Sequence, residues 1–134
     1  MLRSIAAAVL VALSVAVPAS AQSLEQMAGQ MIITGFQGDE VSDKSVKAIT
    51  AKIAAGTLGG VMYLKPNVKS LAAVEAMNKG FRAASPSLPP FITLDQEGGA
   101  VERLTKDVGF TELPNATTVA KTYSPAEART LYSG

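Results

Sequence analysis

Two short apolar runs, each cut off by glycine or proline, limit the architecture more than anything else in this chain. Leu58-Gly59-Gly60-Val61-Met62-Tyr63-Leu64 shows no polar alternation, and Phe91-Ile92-Thr93-Leu94 follows a Ser85–Pro90 connection that proline keeps from being helical. Runs of this kind suit strands buried on both faces, as in a parallel sheet. Between them Leu71, Val74, Met77 and Phe81 recur at helical spacing. Asn67 is the expected N-cap of that helix, since a short amide side chain can accept from the first-turn N–H groups.

The upstream chain repeats the pattern. Ser23 and Gln26 form a capping box, and Leu24, Met27, Ala28 and Met31 follow as an apolar stripe. By this spacing Met27, Met31, Met62 and Met77 are core filler, and Tyr63 is a packing residue. The β-branched residues within Met31–Phe36 favour a short strand, and Gln37–Glu40 reads as a turn. Ser42 or Asp43 then caps a helix whose Val46, Ile49 and Ile53 face inward and whose Lys44, Lys47 and Lys52 face outward, with Gly56 as its left-handed terminator. Helix, strand, helix, strand, helix, strand implies a parallel sheet with right-handed crossovers. A barrel and an open doubly wound sheet both satisfy this order. Nucleotide binding is discounted, because no G-x-G-x-x-G joins the first strand to its helix. Beyond Arg103 the sequence predicts an irregular Thr105–Asn115 loop over the strand ends. A last helix then runs from the Ser124-Pro125-Ala126-Glu127 capping box to about Tyr132.

With 134 residues the chain is sized for one small domain, and its formal charge of +1 suggests no basic face, so nucleic acid is not an expected partner. It has neither cysteine nor histidine. Disulfides, a thiolate nucleophile and an imidazole base are therefore excluded, and nothing implies a metal or an organic cofactor. Residues 1–21 have the three parts of a secretory signal peptide. Arg3 is basic, Ile5 to Val17 is apolar or small, and Ala19-Ser20-Ala21 is a cleavage site. The apolar run is too short for a membrane-spanning helix, which needs about 20 residues. The expectation is cleavage before Gln22, export to the periplasm or the exterior, and no stable membrane span afterwards.

The chemistry-bearing residues gather just past the Phe91–Leu94 run, in Asp95-Gln96-Glu97-Gly98-Gly99-Ala100-Val101-Glu102-Arg103. An acid directly after an apolar strand is costly unless paired, so Asp95 is a candidate ligand residue. The competing reading is an Asp capping the following turn. Arg103 is a second candidate, and its competing reading is an ion pair with Asp95 or Glu97. Glu97 is a partner of the site or a turn residue, Gln96 is expected to bond loop backbone, and Lys65 is expected to be solvated. A two-carboxylate glycosidase mechanism using Asp95 and Glu97 is disfavoured, because residues i and i+2 beside a tight Gly-Gly turn need not face one bond.

Leu24-Glu25-Gln26-Met27-Ala28-Gly29-Gln30-Met31, Gly59-Gly60-Val61 through Leu64, Leu94-Asp95-Gln96-Glu97-Gly98-Gly99 with Val101 and Arg103, and Phe110-Thr111-Glu112-Leu113-Pro114 together resemble glycoside hydrolase family 3. They are most similar to its β-N-acetylhexosaminidase branch, which trims N-acetylglucosamine from peptidoglycan fragments. The resemblance implies a TIM-type (β/α)8 barrel, a retaining mechanism and a carbohydrate substrate. It implies that Asp95, Arg103 and in a lesser role Glu97 bind sugar hydroxyls without breaking bonds. The family's nucleophile and its His–Asp acid/base fall beyond Gly134, so no catalytic residue is expected here. A barrel takes about 250 residues. Residues 22–134 are thus expected to be about three βα units of an incomplete barrel, the N-terminal portion of a longer enzyme, and inactive alone. The alternatives are a non-catalytic sugar-binding product and a family 3 β-glucosidase or xylosidase.

Overall fold

The computed structural model describes residues 22–133, so the signal-peptide reading of residues 1–21 lies outside the described residues. The elements are α1 (Leu24–Gln30), β1 (Ile33–Gly35), α2 (Lys44–Ala54), β2 (Gly60–Tyr63), α3 (Leu71–Ala84), β3 (Phe91–Leu94), α4 (Ala116–Thr122) and α5 (Pro125–Tyr132). Single 3-10 turns lie at Lys65–Asn67 and Lys106–Val108. The three strands form one parallel sheet in the order β1-β2-β3, with Thr34 opposite Val61 and Val61 opposite Ile92.

The strand patterns explain which face is covered. Val61 and Tyr63 of the central strand are buried against Val46 and Ile53 of α2 and Met77 and Phe81 of α3. Phe36, just past β1, completes this layer. Its ring meets Tyr63 edge-to-face at 5.1 Å and Phe81 at 5.7 Å between centroids, the arrangement that aromatic quadrupoles favour. Burial pushes the Tyr63 hydroxyl up to about 12, and that hydroxyl donates to Asn78 Oδ1 at 2.9 Å. Gly59 lets the end of α1 approach β2, since a Cβ there would strike the Gln30 carbonyl.

The opposite sheet face is covered only in part, and here the structure departs from the sequence reading. The Phe91–Leu94 run suggested a buried strand. Instead Phe91 is 65% exposed and Ile33 44%, because α2 and α3 both pack on the other face and three strands do not close into a barrel. Met77 is core, but Met27 and Met31 are exposed, as is Leu24, so α1 contributes buried Gly29 rather than an apolar stripe.

The capping readings divide in the same way. Ser23 and Ser124 make the expected capping boxes, and Gly56 adopts φ +72°. Asp43 is the N-cap of α2, yet its side chain caps nothing in the helix. Its Oδ2 accepts from the N–H groups of Asp39 at 2.9 Å and Glu40 at 3.1 Å instead. Ser70, not Asn67, caps α3 by accepting from Ala73 N–H. Asn67 lies one turn earlier and is 1% exposed. It has been drawn inward because buried backbone groups there need partners. α4 has no clear signal in the sequence. Asn115 caps it, but Thr117, Thr118 and Val119 blur its helical period.

Candidate functional site

All three strands are parallel, so the segments after β1, β2 and β3 rim the same end of the sheet. Polar side chains hold each of these segments. After β2, Asn67 accepts from Leu64 N–H at 2.8 Å. It also donates to the Phe36 carbonyl at 3.0 Å and the Gly38 carbonyl at 2.8 Å, joining the segments after β1 and β2. Asp43 closes the 39–43 turn. Those two backbone N–H groups, and next the charges of Lys69 and Lys47, hold its carboxyl below the ordinary carboxylate value. Lys69 donates to Glu40 Oε1 at 2.6 Å, and that bond raises the Lys69 ammonium's pKa.

The segment after β3 is a folded-back loop. Glu97 N–H donates to the Val101 carbonyl at 2.8 Å, and Gly98 bridges Val101 antiparallel. Gly98 and Gly99 take φ of +79° and +61°, a region that L side chains avoid. A Cβ on Gly98 would also lie 2.5 Å from the Pro114 carbonyl oxygen. The Gln96 side chain closes the loop, as its sequence position suggested. Its Oε1 accepts from Arg103 N–H at 2.9 Å and Leu104 N–H at 3.1 Å, and its Nε2 donates to the Leu104 carbonyl at 3.2 Å.

This closure brings two of the three candidates together. Arg103 Nη2 donates to Asp95 Oδ2 at 3.3 Å. The Asp95 side chain is 41% exposed and that of Arg103 15%, so the carboxylate opens to solvent and the guanidinium lies behind it. Arg103 Nε is buried with no hydrogen-bond partner among the described residues. Strand alternation puts Asp95 after Phe91 and Thr93, on the side of the sheet that the helices leave open. In such a pair the carboxylate can accept from one hydroxyl and the guanidinium can donate to another, the pattern that a sugar diol presents.

Glu97 stands apart from the pair. It lines a cavity of 670 Å³ between the Gly-Gly turn, Leu113 and the helices α4 and α5, with Asn115, Thr118 and Tyr132 among the other walls; Asp95 and Arg103 do not line it. Glu102 is a further polar residue held by this loop. It is 7% exposed and its Oε1 accepts from Leu113 N–H at 3.3 Å. A charged residue between Val101 and Arg103 gives no periodic sign of burial. Among the described residues no group of carboxylates could hold a metal ion. No described helix is long and apolar enough to cross a membrane.

Residues 23–132 match the glycosyl hydrolase family 3 N terminal domain. Among solved structures, the chain is 32% identical to a glycoside hydrolase family 3 beta-N-acetylglucosaminidase from Paenibacillus sp. str. FPU-7, over 74% of this chain and 18% of that one, with a TM-score of 0.55. It is 24% identical to a glycosyl hydrolase of the GH3 family from Mycobacterium smegmatis, over 80% and 29%, with a TM-score of 0.60. It is 20% identical to NagZ from Neisseria gonorrhoeae in complex with N-trifluoroacetyl-D-glucosamine, over 74% and 28%, with a TM-score of 0.54. The last two are likenesses of fold. The chain therefore spans less than a third of the length of these structures. No curated protein matches it.

Proposed function

Because the chain belongs to glycoside hydrolase family 3, we propose that it is the sugar-gripping N-terminal portion of a retaining β-N-acetylglucosaminidase. Its three parallel strands and their helices are the N-terminal part of the family's barrel. The proposed substrate is terminal β-linked N-acetylglucosamine in peptidoglycan or chitin-type fragments. The observation that carries this reading is the Asp95–Arg103 pair, half open to solvent at the C-terminal end of β3. The 32% identity to the Paenibacillus enzyme supports the choice of sugar.

In this reading Asp95 accepts O–H bonds from the non-reducing sugar, and Arg103 fixes the carboxylate while offering its own donors. Glu97 has the lesser part of bounding the neighbouring cavity. The pair positions the sugar, and the bond-breaking groups are supplied by the remainder of the barrel. The 134-residue chain by itself is accordingly expected to leave a chromogenic N-acetylglucosaminide unhydrolysed. Turnover lost on Asp95→Ala would overturn that division of labour. We further propose export, which rests on the leader sequence alone; the mass of the secreted product should then correspond to a chain starting at Gln22.

Titration of the chain with N-acetylglucosamine, followed by amide NMR, tests the grip. Perturbations should cluster at residues 95–103, and Asp95→Ala should weaken binding about tenfold or more, the loss of roughly one charged hydrogen bond. Wild-type affinity in Asp95→Ala would refute the assignment.

A further inference from the structure

Glu102 pairs with no charge among the described residues. It is 7% exposed, and the hydrogen bond found for its side chain is accepted from Leu113 N–H. The same Leu113 is held at its other polar backbone atom, since Gly99 N–H donates to its carbonyl at 2.8 Å. One residue of the 110–114 segment is thus pinned at both ends to the loop that carries Arg103. Pro114 lies directly against Gly98, where a side chain would have no room.

We infer that Glu102 is a positioning residue for sugar binding. It locks Leu113 and Pro114 across the Gly98-Gly99 turn and so sets the pose of the Arg103 guanidinium against Asp95. The chain of contacts is short. Arg103 is the next residue, its N–H is held by Gln96, and its guanidinium reaches Asp95 through one bond of 3.3 Å. A single bond of that length leaves the guanidinium's pose dependent on the backbone behind it. With the strap released, the loop keeps its Gln96 closure, but its turn can shift relative to Asp95. This role rests on the proposal that Asp95 and Arg103 bind the sugar.

The test compares Glu102→Ala and Glu102→Gln in the same chain by three readouts: amide hydrogen exchange at Gly99 and Leu113, thermal midpoint, and affinity for N-acetylglucosamine by amide NMR. Glutamine keeps the acceptor oxygen, so Glu102→Gln should retain protection at both amides and bind within about twofold of wild type. Glu102→Ala should lose protection at both and bind about tenfold more weakly, a loss of about 1.4 kcal/mol, with the β2 and α3 amides still protected. Full protection in Glu102→Ala, or equal loss in the two variants, overturns the strap. Lost protection with unchanged affinity overturns the positioning role. Failure of the wild-type chain to bind the sugar overturns instead the reading on which this role rests, and the exchange data then still judge the strap.

Discussion

Two carboxamides do related work at the same end of the sheet, with different amounts at stake. Asn67 and Gln96 each make three hydrogen bonds to backbone, accepting with the oxygen and donating with the nitrogen. Asn67 is 1% exposed and ties together segments that follow two different strands. Gln96 is exposed and ties a loop to itself. The difference shows that a short amide can replace regular structure in either role, but burial decides the cost of losing it. A buried carbonyl left without a donor forfeits its full solvation, whereas an exposed one recovers water.

Removing Asn67 should therefore have the largest effect. Asn67→Ala strips donors from the Phe36 and Gly38 carbonyls and should destabilise the chain by about 3 kcal/mol, measured by urea unfolding. Asn67→Asp is the sharper probe. It keeps the acceptor for Leu64 N–H but turns a carboxylate toward two carbonyls, so it should be no better than alanine. Near-wild-type stability of Asn67→Asp would mean that the donors contribute little and would erase the contrast with Gln96.

The loop after β3 depends on conformation more than on burial. Gly98→Ala imposes a positive φ on an L residue and drives a methyl toward the Pro114 carbonyl. The expected loss is about 2 kcal/mol, with the NMR shifts of residues 96–104 and 113–114 moving together. Gln96→Ala should cost only about 1 kcal/mol, since its bonds lie in water's reach. If Asp95 and Arg103 grip a sugar as proposed, its larger consequence is weaker sugar binding, because Arg103 loses the clamp on its backbone.

How legible these features were depended on whether the governing contact was local. The parallel strands, the Ser23 and Ser124 capping boxes and the left-handed Gly56 follow from short-range pattern and turn chemistry, and the structure contains them. Gln96 was also readable, since an amide between an acid and a Gly-Gly turn has mainly its own loop to bond. Asn67 was not, because its partners Phe36 and Gly38 are about thirty residues away and a polar residue before a helix looks like a cap. Burial misled for a different reason. An apolar strand carries no record of how many neighbours it has, so Phe91 reads as core although it is 65% exposed in this sheet. Asp95, Glu97 and Arg103 could be picked out by type and place, but whether the loop folds Arg103 onto Asp95 or onto Glu97 needed the three-dimensional arrangement.

The smallest expected effect separates the anchors of one segment by acidity. Asn67 and Asp43 both hold the chain between β1 and α2, yet only Asp43 titrates. Its carboxyl lies below the ordinary value of 3.8 because it accepts two backbone N–H groups. A depressed folded-state value means the unfolded chain takes up the proton first as pH falls. The stabilisation is therefore complete above about pH 4 and disappears as pH drops through the lower folded value. Unfolding midpoints measured between pH 6 and pH 2 should fall most steeply below pH 4. Asp43→Asn should flatten that slope while starting from a lower neutral-pH midpoint, and Asn67→Ala should shift the whole curve down without changing its shape. Were the Asn67→Ala curve also to lose its acid slope, the two anchors would be one coupled unit, and the division between a neutral buried tie and a titratable one would fail at this loop.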